Sequence, residues 1–270
     1  MTDATPSPHF TILGSPGTAR IPMVVHVPHS GLAIPADVAT TLRLTPEELD
    51  AELLAMTDRY TDELFEGVQA LGGVAFANRL SRLVVDPERF LDPEREEMEG
   101  CGMGAVYTKT SDGRVLRTPD ATERSRLIGA YFEPYTLSLE HCVGEMLERF
   151  GRCVIIDAHS FPRVPLPYER DQDPDRPQIC IGTDGFHTPP DLQACVEHVC
   201  SEAGYRFDVN RPFSGSYVPL RWFGYERRVT SLMVEIRRDL YMDERTRERG
   251  PAFSVVQAFA QRVMEGVLAL

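Results

Sequence analysis

Three histidines stand where an α/β chain gathers its chemistry. His29, in Pro28-His29-Ser30-Gly31, and His159, in Asp157-Ala158-His159-Ser160, each come just after an apolar run, Ile21 to Val27 and Cys153 to Ile156. Residues at the carboxyl ends of strands converge on the crevice where α/β proteins bind ligands. Two imidazoles so placed read as ligands of one metal ion; the competing reading makes each a turn histidine bonded within its own loop. A hydrolytic zinc site needs about three protein ligands and an open position for water. Asp58, in Met56-Thr57-Asp58-Arg59-Tyr60, is the candidate third ligand, against its alternative role as a helix cap. His26 lies inside its strand and reads as structural. No H-E-x-x-H occurs, so a zincin-type protease is not indicated.

Glu235 closes the apolar run Ser231-Leu232-Met233-Val234. A carboxylate there is costly unless it is paired, metal-bound or used. A general base beside a metal site fits, and the alternative is an ion pair with Arg237 or Arg238. Arg79, Arg82 and Arg89 cluster between Asn78 and Phe90 in an otherwise acidic chain. Arginine suits bidentate capture of carboxylates, so this group could hold an acidic substrate or polarise its carbonyl. Gly182-Thr183-Asp184-Gly185 and Ser214-Gly215-Ser216-Tyr217 are loops that line a pocket or simply turn tightly. The chain has no G-x-S-x-G elbow, Walker loop or G-x-G-x-x-G, which leaves serine hydrolase, nucleotide and Rossmann readings without support.

The elements that must position these residues follow from pattern. Strands are expected at 21–27, 74–77, 83–85, 153–156, 178–181 and 231–236. Thr45-Pro46-Glu47-Glu48 opens a helix with a capping box, and Thr57-Asp58 interrupts it. Residues 121–149, 190–203 and 251–270 read as helical. Residues 91–118 form a long irregular loop, which in a compact domain is usually functional. Residues 1–20, rich in Pro, Gly, Ser and Thr, read as a flexible arm before a single domain over 21–270. Alternating strands and helices imply an α/β fold.

Composition bounds the function. Of 270 residues, 28 are Lys or Arg and 41 are Asp or Glu, a net charge of −13. Nucleic-acid binding needs a basic face and is therefore not expected. No uninterrupted apolar stretch of about 18 residues suggests a membrane helix, and no secretory signal pattern opens the chain. The six cysteines form no C-x-x-C pair and read as free thiols in a reducing cytoplasm.

Taken in order, Val27-Pro28-His29-Ser30-Gly31, Thr57-Asp58, the Ser81–Asp86 stretch Ser-Arg-Leu-Val-Val-Asp, Asp157-Ala158-His159-Ser160, Ile181-Gly182-Thr183, and Glu235 through Met242 resemble the N-formylglutamate amidohydrolase (deformylase) family. The Asp-x-His-Ser and Glu-Ile-Arg steps are also similar to the zinc carboxypeptidase and aspartoacylase superfamily. The resemblance implies a three-layer α/β/α fold with a mixed central sheet, zinc-carboxypeptidase-like. It implies zinc, or another divalent ion, on His29, Asp58 and His159, with Glu235 as general base and Arg82 at the developing oxyanion. Arg79, Arg89, Ser30, Thr183 and Tyr217 form the expected substrate-binding set. The implied substrate is a small acidic N-acyl amino acid, N-formyl-L-glutamate being the natural candidate. Two departures stand out: Asp-Leu-Asn-Arg becomes Asp86-Pro87-Glu88-Arg89, and a His-Pro-Tyr-His step becomes Glu133-Pro134-Tyr135-Thr136. They keep open hydrolysis of a different amide, γ-glutamyl or peptide-like, and a non-catalytic binding protein on the same fold.

Overall fold

The computed structural model describes residues 9–270. Seven strands, β1 (Phe10–Leu13), β2 (Met23–Val27), β3 (Val74–Asn78), β4 (Cys153–Phe161), β5 (Ile179–Gly182), β6 (Phe207–Val209) and β7 (Val229–Arg237), form a sheet in the order β1-β3-β2-β4-β7-β5-β6. β3, β2, β4 and β7 run parallel. β1 pairs antiparallel with β3, and β5 antiparallel with β7, so the sheet is mixed. The helices are α1 (Ala36–Ala39), α2 (Pro46–Met56), α3 (Thr61–Leu64), α4 (Val68–Leu71), α5 (Ala121–Leu127), α6 (Glu133–Phe150), α7 (Pro190–Glu202) and α8 (Phe253–Leu268).

Strand periodicity decides which helices cover which face. Met23, Val25 and Val27 of β2 pack in one core with Leu192 and Val196 of α7 and with Val256, Phe259 and Val263 of α8. Val24, one residue out of phase, packs with Tyr135, Leu139, Val143 and Met146 of α6. All five β2 residues are buried and all but His26 are apolar, as expected of a parallel strand covered on both faces. The chain is thus an α/β protein with helices on both sides of its sheet.

Local rules set the segment that carries Asp58. Thr45 accepts from Glu48 N while the Glu48 side chain accepts from Thr45 N, the reciprocal capping box that starts α2. Thr57 is extended and ends it, and Tyr60 enters α3 with φ +70°.

Two expectations differ from the structure. Leu83–Val85 is not a strand but part of a buried turn, closed by Val84 N donating to Ser81 O. Its apolar residues plug satellite cores, and the buried Arg117 guanidinium meets the Leu83 and Val84 carbonyls that no strand partner satisfies. Of the expected arm, residues 1–8 lie outside the described residues. Phe10–Leu13 is an edge strand in register with β3, and Phe10 stacks on Phe76 at 5.1 Å. Four residues are too short a run for alternation to be read in sequence.

Candidate active site

The sheet brings the site together at the carboxyl ends of its parallel strands. His159 on β4 and Glu235 on β7 are register partners. His29 lies two residues beyond β2, and Asp58 lies between α2 and α3. Asp58 N donates to His29 O at 3.0 Å, tying those two loops together. His29 Nδ1 and His159 Nδ1 are 3.2 Å apart, and Asp58 Oδ2 is 3.1 Å from His159 Nδ1 and 3.7 Å from His29 Nδ1. All three residues are buried.

Neighbouring side chains fix these three. His29 Nε2 lies 2.9 Å from Asp86 Oδ1. Burial alone would raise the Asp86 carboxyl, but Arg82, His29 and Arg89 outweigh it and hold it well below the ordinary range. With Asp86 ionised, His29 Nε2 carries the hydrogen, and the Nδ1 lone pair faces His159 and Asp58. Arg238 grips the other Asp58 oxygen at 3.0 Å and donates to Ala55 O at 2.7 Å. Burial opposes ionisation of Asp58 too, yet His159, His29 and Arg238 hold its carboxyl far below the usual value.

This donor set fits a divalent metal ion. A tetrahedral ion bonded at about 2.0–2.1 Å needs ligand atoms about 3.3 Å apart, close to the separations found here. The Asp86–His29 bond is the outer-shell carboxylate that orients a ligating imidazole. Burial lowers the His159 pKa, while Glu88, Asp157 and Asp58 together raise it well above the ordinary value. The surroundings therefore favour positive charge at this point.

A cavity of about 510 Å³ opens over the cluster. Its wall includes His29, Asp58, Arg82, Glu88, Arg89, Asp157, His159, Tyr217, Glu235 and Arg238. Glu235 Oε2 is buried without a hydrogen-bond partner, and burial pushes its carboxyl up to about 8. Neither arginine first considered for Glu235 pairs with it: Arg237 binds Asp239, and Arg238 binds Asp58. Arg82 is anchored by Asp86 at 2.7 Å and by the Tyr107 hydroxyl at 2.9 Å. Arg89 keeps a buried Nε without a hydrogen bond, 3.5 Å from Asp86 Oδ2. Thr136, facing the cavity from α6, has a buried hydroxyl with no partner.

Not every residue singled out in sequence reaches this wall. Arg79 is exposed at the end of β3 and is not part of the lining. Ser30 adjoins His29 but is also outside the lining. Thr183 is tied to Asn210 instead, its N donating at 2.9 Å and its hydroxyl accepting at 2.7 Å. Tyr217 does line the cavity; its ring stacks on His26 at 4.6 Å, and its N donates to Asp157 Oδ2 at 2.9 Å. Asp86 and Asp157, inside the Ser81–Asp86 and Asp-x-His-Ser stretches, and Arg238, expected as a partner of Glu235, join the site through His29, His159 and Asp58. His26, read as structural, bridges the Tyr135 hydroxyl at 2.8 Å and Asp157 Oδ1 at 2.9 Å.

A profile of the N-formylglutamate amidohydrolase family matches residues 21–242. N-formylglutamate deformylase of Pseudomonas aeruginosa is 29% identical over 259 residues, covering 93% of this chain and 94% of that protein. The Pseudomonas putida deformylase is 28% identical, covering 83% of each. The crystal structure of N-formylglutamate amidohydrolase from Ralstonia eutropha JMP134 is similar with a TM-score of 0.82 at 30% identity, covering 96% of this chain and 97% of that one.

Proposed function

The chain belongs to the N-formylglutamate amidohydrolase family, and from that premise we propose that it is a metal-dependent hydrolase of N-formyl-L-glutamate or a closely similar N-acyl amino acid. The products are the free amino acid and a carboxylate, formate in the first case. The observation that carries this reading is the convergence of His29 Nδ1, His159 Nδ1 and Asp58 Oδ2 beside the unpartnered Glu235 oxygen, at the floor of one cavity. These three atoms would hold the ion, with zinc the ion that the His and carboxylate donors and the family suggest. When bound, it supplies Lewis acidity that lowers the pKa of water and polarises a carbonyl.

The side chains account for the rest. Glu235 accepts the proton of the attacking water and returns it to the departing amine; its raised pKa suits both halves of that transfer near neutral pH. Arg82, pre-oriented by Asp86 and Tyr107, donates to the oxyanion that develops on the amide carbonyl. Arg89, whose side chain lines the cavity beside Asp86, holds a substrate carboxylate. Tyr217 and the Thr136 hydroxyl bound the space around the bound substrate.

The test is release of free amine and formate from N-formyl-L-glutamate by the purified protein, with a panel of other N-acyl amino acids and γ-glutamyl amides beside it. Glutamate release that exceeds release from the γ-glutamyl amides supports the reading. Binding without turnover of any substrate would return the chain to the class of binding proteins.

A further inference from the structure

His26 and Tyr135 take no part in the steps above, yet both are buried beside the metal-ligating cluster. His26 on β2 and Asp157 on β4 are register partners, and Asp157 and His159, two residues apart on β4, project to the same face. His26 Nδ1 lies 2.9 Å from Asp157 Oδ1, and His26 Nε2 lies 2.8 Å from the Tyr135 hydroxyl. A carboxylate oxygen only accepts, so Nδ1 carries the hydrogen; Nε2 is then the acceptor and the Tyr135 hydroxyl donates to it. Tyr217 closes the group from the cavity side. Its N donates to Asp157 Oδ2 at 2.9 Å, and its ring stacks on His26 at 4.6 Å. Both Asp157 oxygens are thus fixed. Oδ1 faces His159 Nε2 at 3.1 Å, and Glu88 Oε1 faces the same nitrogen at 3.3 Å. His159 Nε2 has full hydrogen-bond alignment with neither, but Glu88 Oε1 has no other partner, whereas Asp157 is held in place by His26 and Tyr217.

We infer that His26 is a positioning residue for the proposed metal centre: through Asp157 it keeps the His159 hydrogen on Nε2 and the Nδ1 lone pair turned toward His29 and Asp58. Tyr135 decides which His26 nitrogen donates, so a side chain of α6 reaches the centre through two hydrogen bonds. A ligand ring fixed in tautomer and orientation binds an ion without first having to turn, and outer-shell partners of this kind contribute about 10–100-fold in metal affinity. The inference rests on the proposed function in one respect only, that His29, Asp58 and His159 hold the ion; it does not depend on the substrate.

The measurement is the Zn²⁺ affinity of metal-free wild type, His26→Phe and His26→Asn, by competition with a chromophoric chelator. The Asn amide can donate from about the place of Nδ1, whereas Phe cannot donate at all. His26→Phe is expected to bind Zn²⁺ about 10–100-fold more weakly than wild type, and His26→Asn to recover most of that loss. Both variants disturb packing, so equal losses in the two would mark a merely structural role and overturn the inference. So would wild-type affinity in a folded His26→Phe. A second readout needs no variant: imidazole ¹⁵N shifts of the zinc-loaded wild type should show hydrogen on His26 Nδ1 and on His159 Nε2. A His26 Nδ1 without hydrogen overturns the inference even if neither variant folds. Intact hydrolysis of N-formyl-L-glutamate with an unaffected His26→Phe leaves the proposed function standing alone. The expected order of affinities without turnover of any substrate leaves the positioning role and fails the hydrolase; no zinc binding by the wild type fails both.

Discussion

Glu235 carries the sharpest demand at the scale of single residues. Its carboxylate is buried on a central strand, one oxygen meets no donor, and burial lifts its pKa to about 8. Such a group is expensive to keep unless it exchanges a proton. Glu235→Gln should therefore retain metal by elemental analysis while kcat falls about 10²–10⁴-fold, the usual contribution of a general base. Arg89→Ala should act differently. Hydrogen bonds to charged groups contribute about 1.5–3 kcal/mol, so its loss should raise KM for an acidic substrate about 10–100-fold. A neutral N-acyl amino acid should show a smaller change in the same assay. His29, Asp58, His159 and Glu235 could be picked from sequence because each is a chemically costly residue at a strand or helix end. Arg238 could not be weighted that way, because its importance comes from Asp58, 180 residues away in the chain.

At the scale of elements, the site depends on the close approach of the segment after β2 to the segment after β3. A Cβ on Gly31 would lie 2.4–2.5 Å from the Arg79 and Leu80 backbone. Gly31→Ala must push those segments apart, which overpacking data put at about 1–3 kcal/mol. The thermal midpoint should fall by about 2–4 °C per kcal/mol in a domain of this size. Metal affinity should fall with it, since His29 sits two residues away. The long 91–118 loop is tied to α2 by Glu52, whose buried carboxylate accepts from Ser111 N at 2.7 Å and from its hydroxyl at 2.8 Å. Burial raises the Glu52 pKa above its unfolded value. The folded chain then binds the proton more tightly, so Glu52 favours folding most at low pH, and this contribution is lost as pH rises through the raised pKa. The midpoint of Glu52→Gln relative to wild type should thus improve as pH rises from the ordinary carboxylate range through the raised pKa. β2, β3, β4 and β7 could be read from continuous β-branched and apolar runs. The same cue misplaced Leu83–Val85, because a short buried apolar run looks alike in a strand and in a turn that plugs a core.

At the scale of the whole molecule, the mixed sheet sets residues from distant parts of the chain together at the carboxyl ends of its parallel strands, beneath a cavity of about 510 Å³. The α/β class followed from alternation of elements, and helices do cover both faces. The strands at the two edges, β1 and β6, left weaker marks because they are short, whereas β5 falls on the strand expected at 178–181. No helix of the described residues is long and apolar enough to cross a membrane. The central claim is that one ion on His29, Asp58 and His159 makes this cavity hydrolytic. The direct measurement is the rate of N-formyl-L-glutamate hydrolysis before chelation, after it, and after stoichiometric Zn²⁺ is returned. The account predicts loss of turnover on chelation and its recovery with zinc in the wild type, but not in His159→Ala. Undiminished hydrolysis by verified metal-free protein would contradict it.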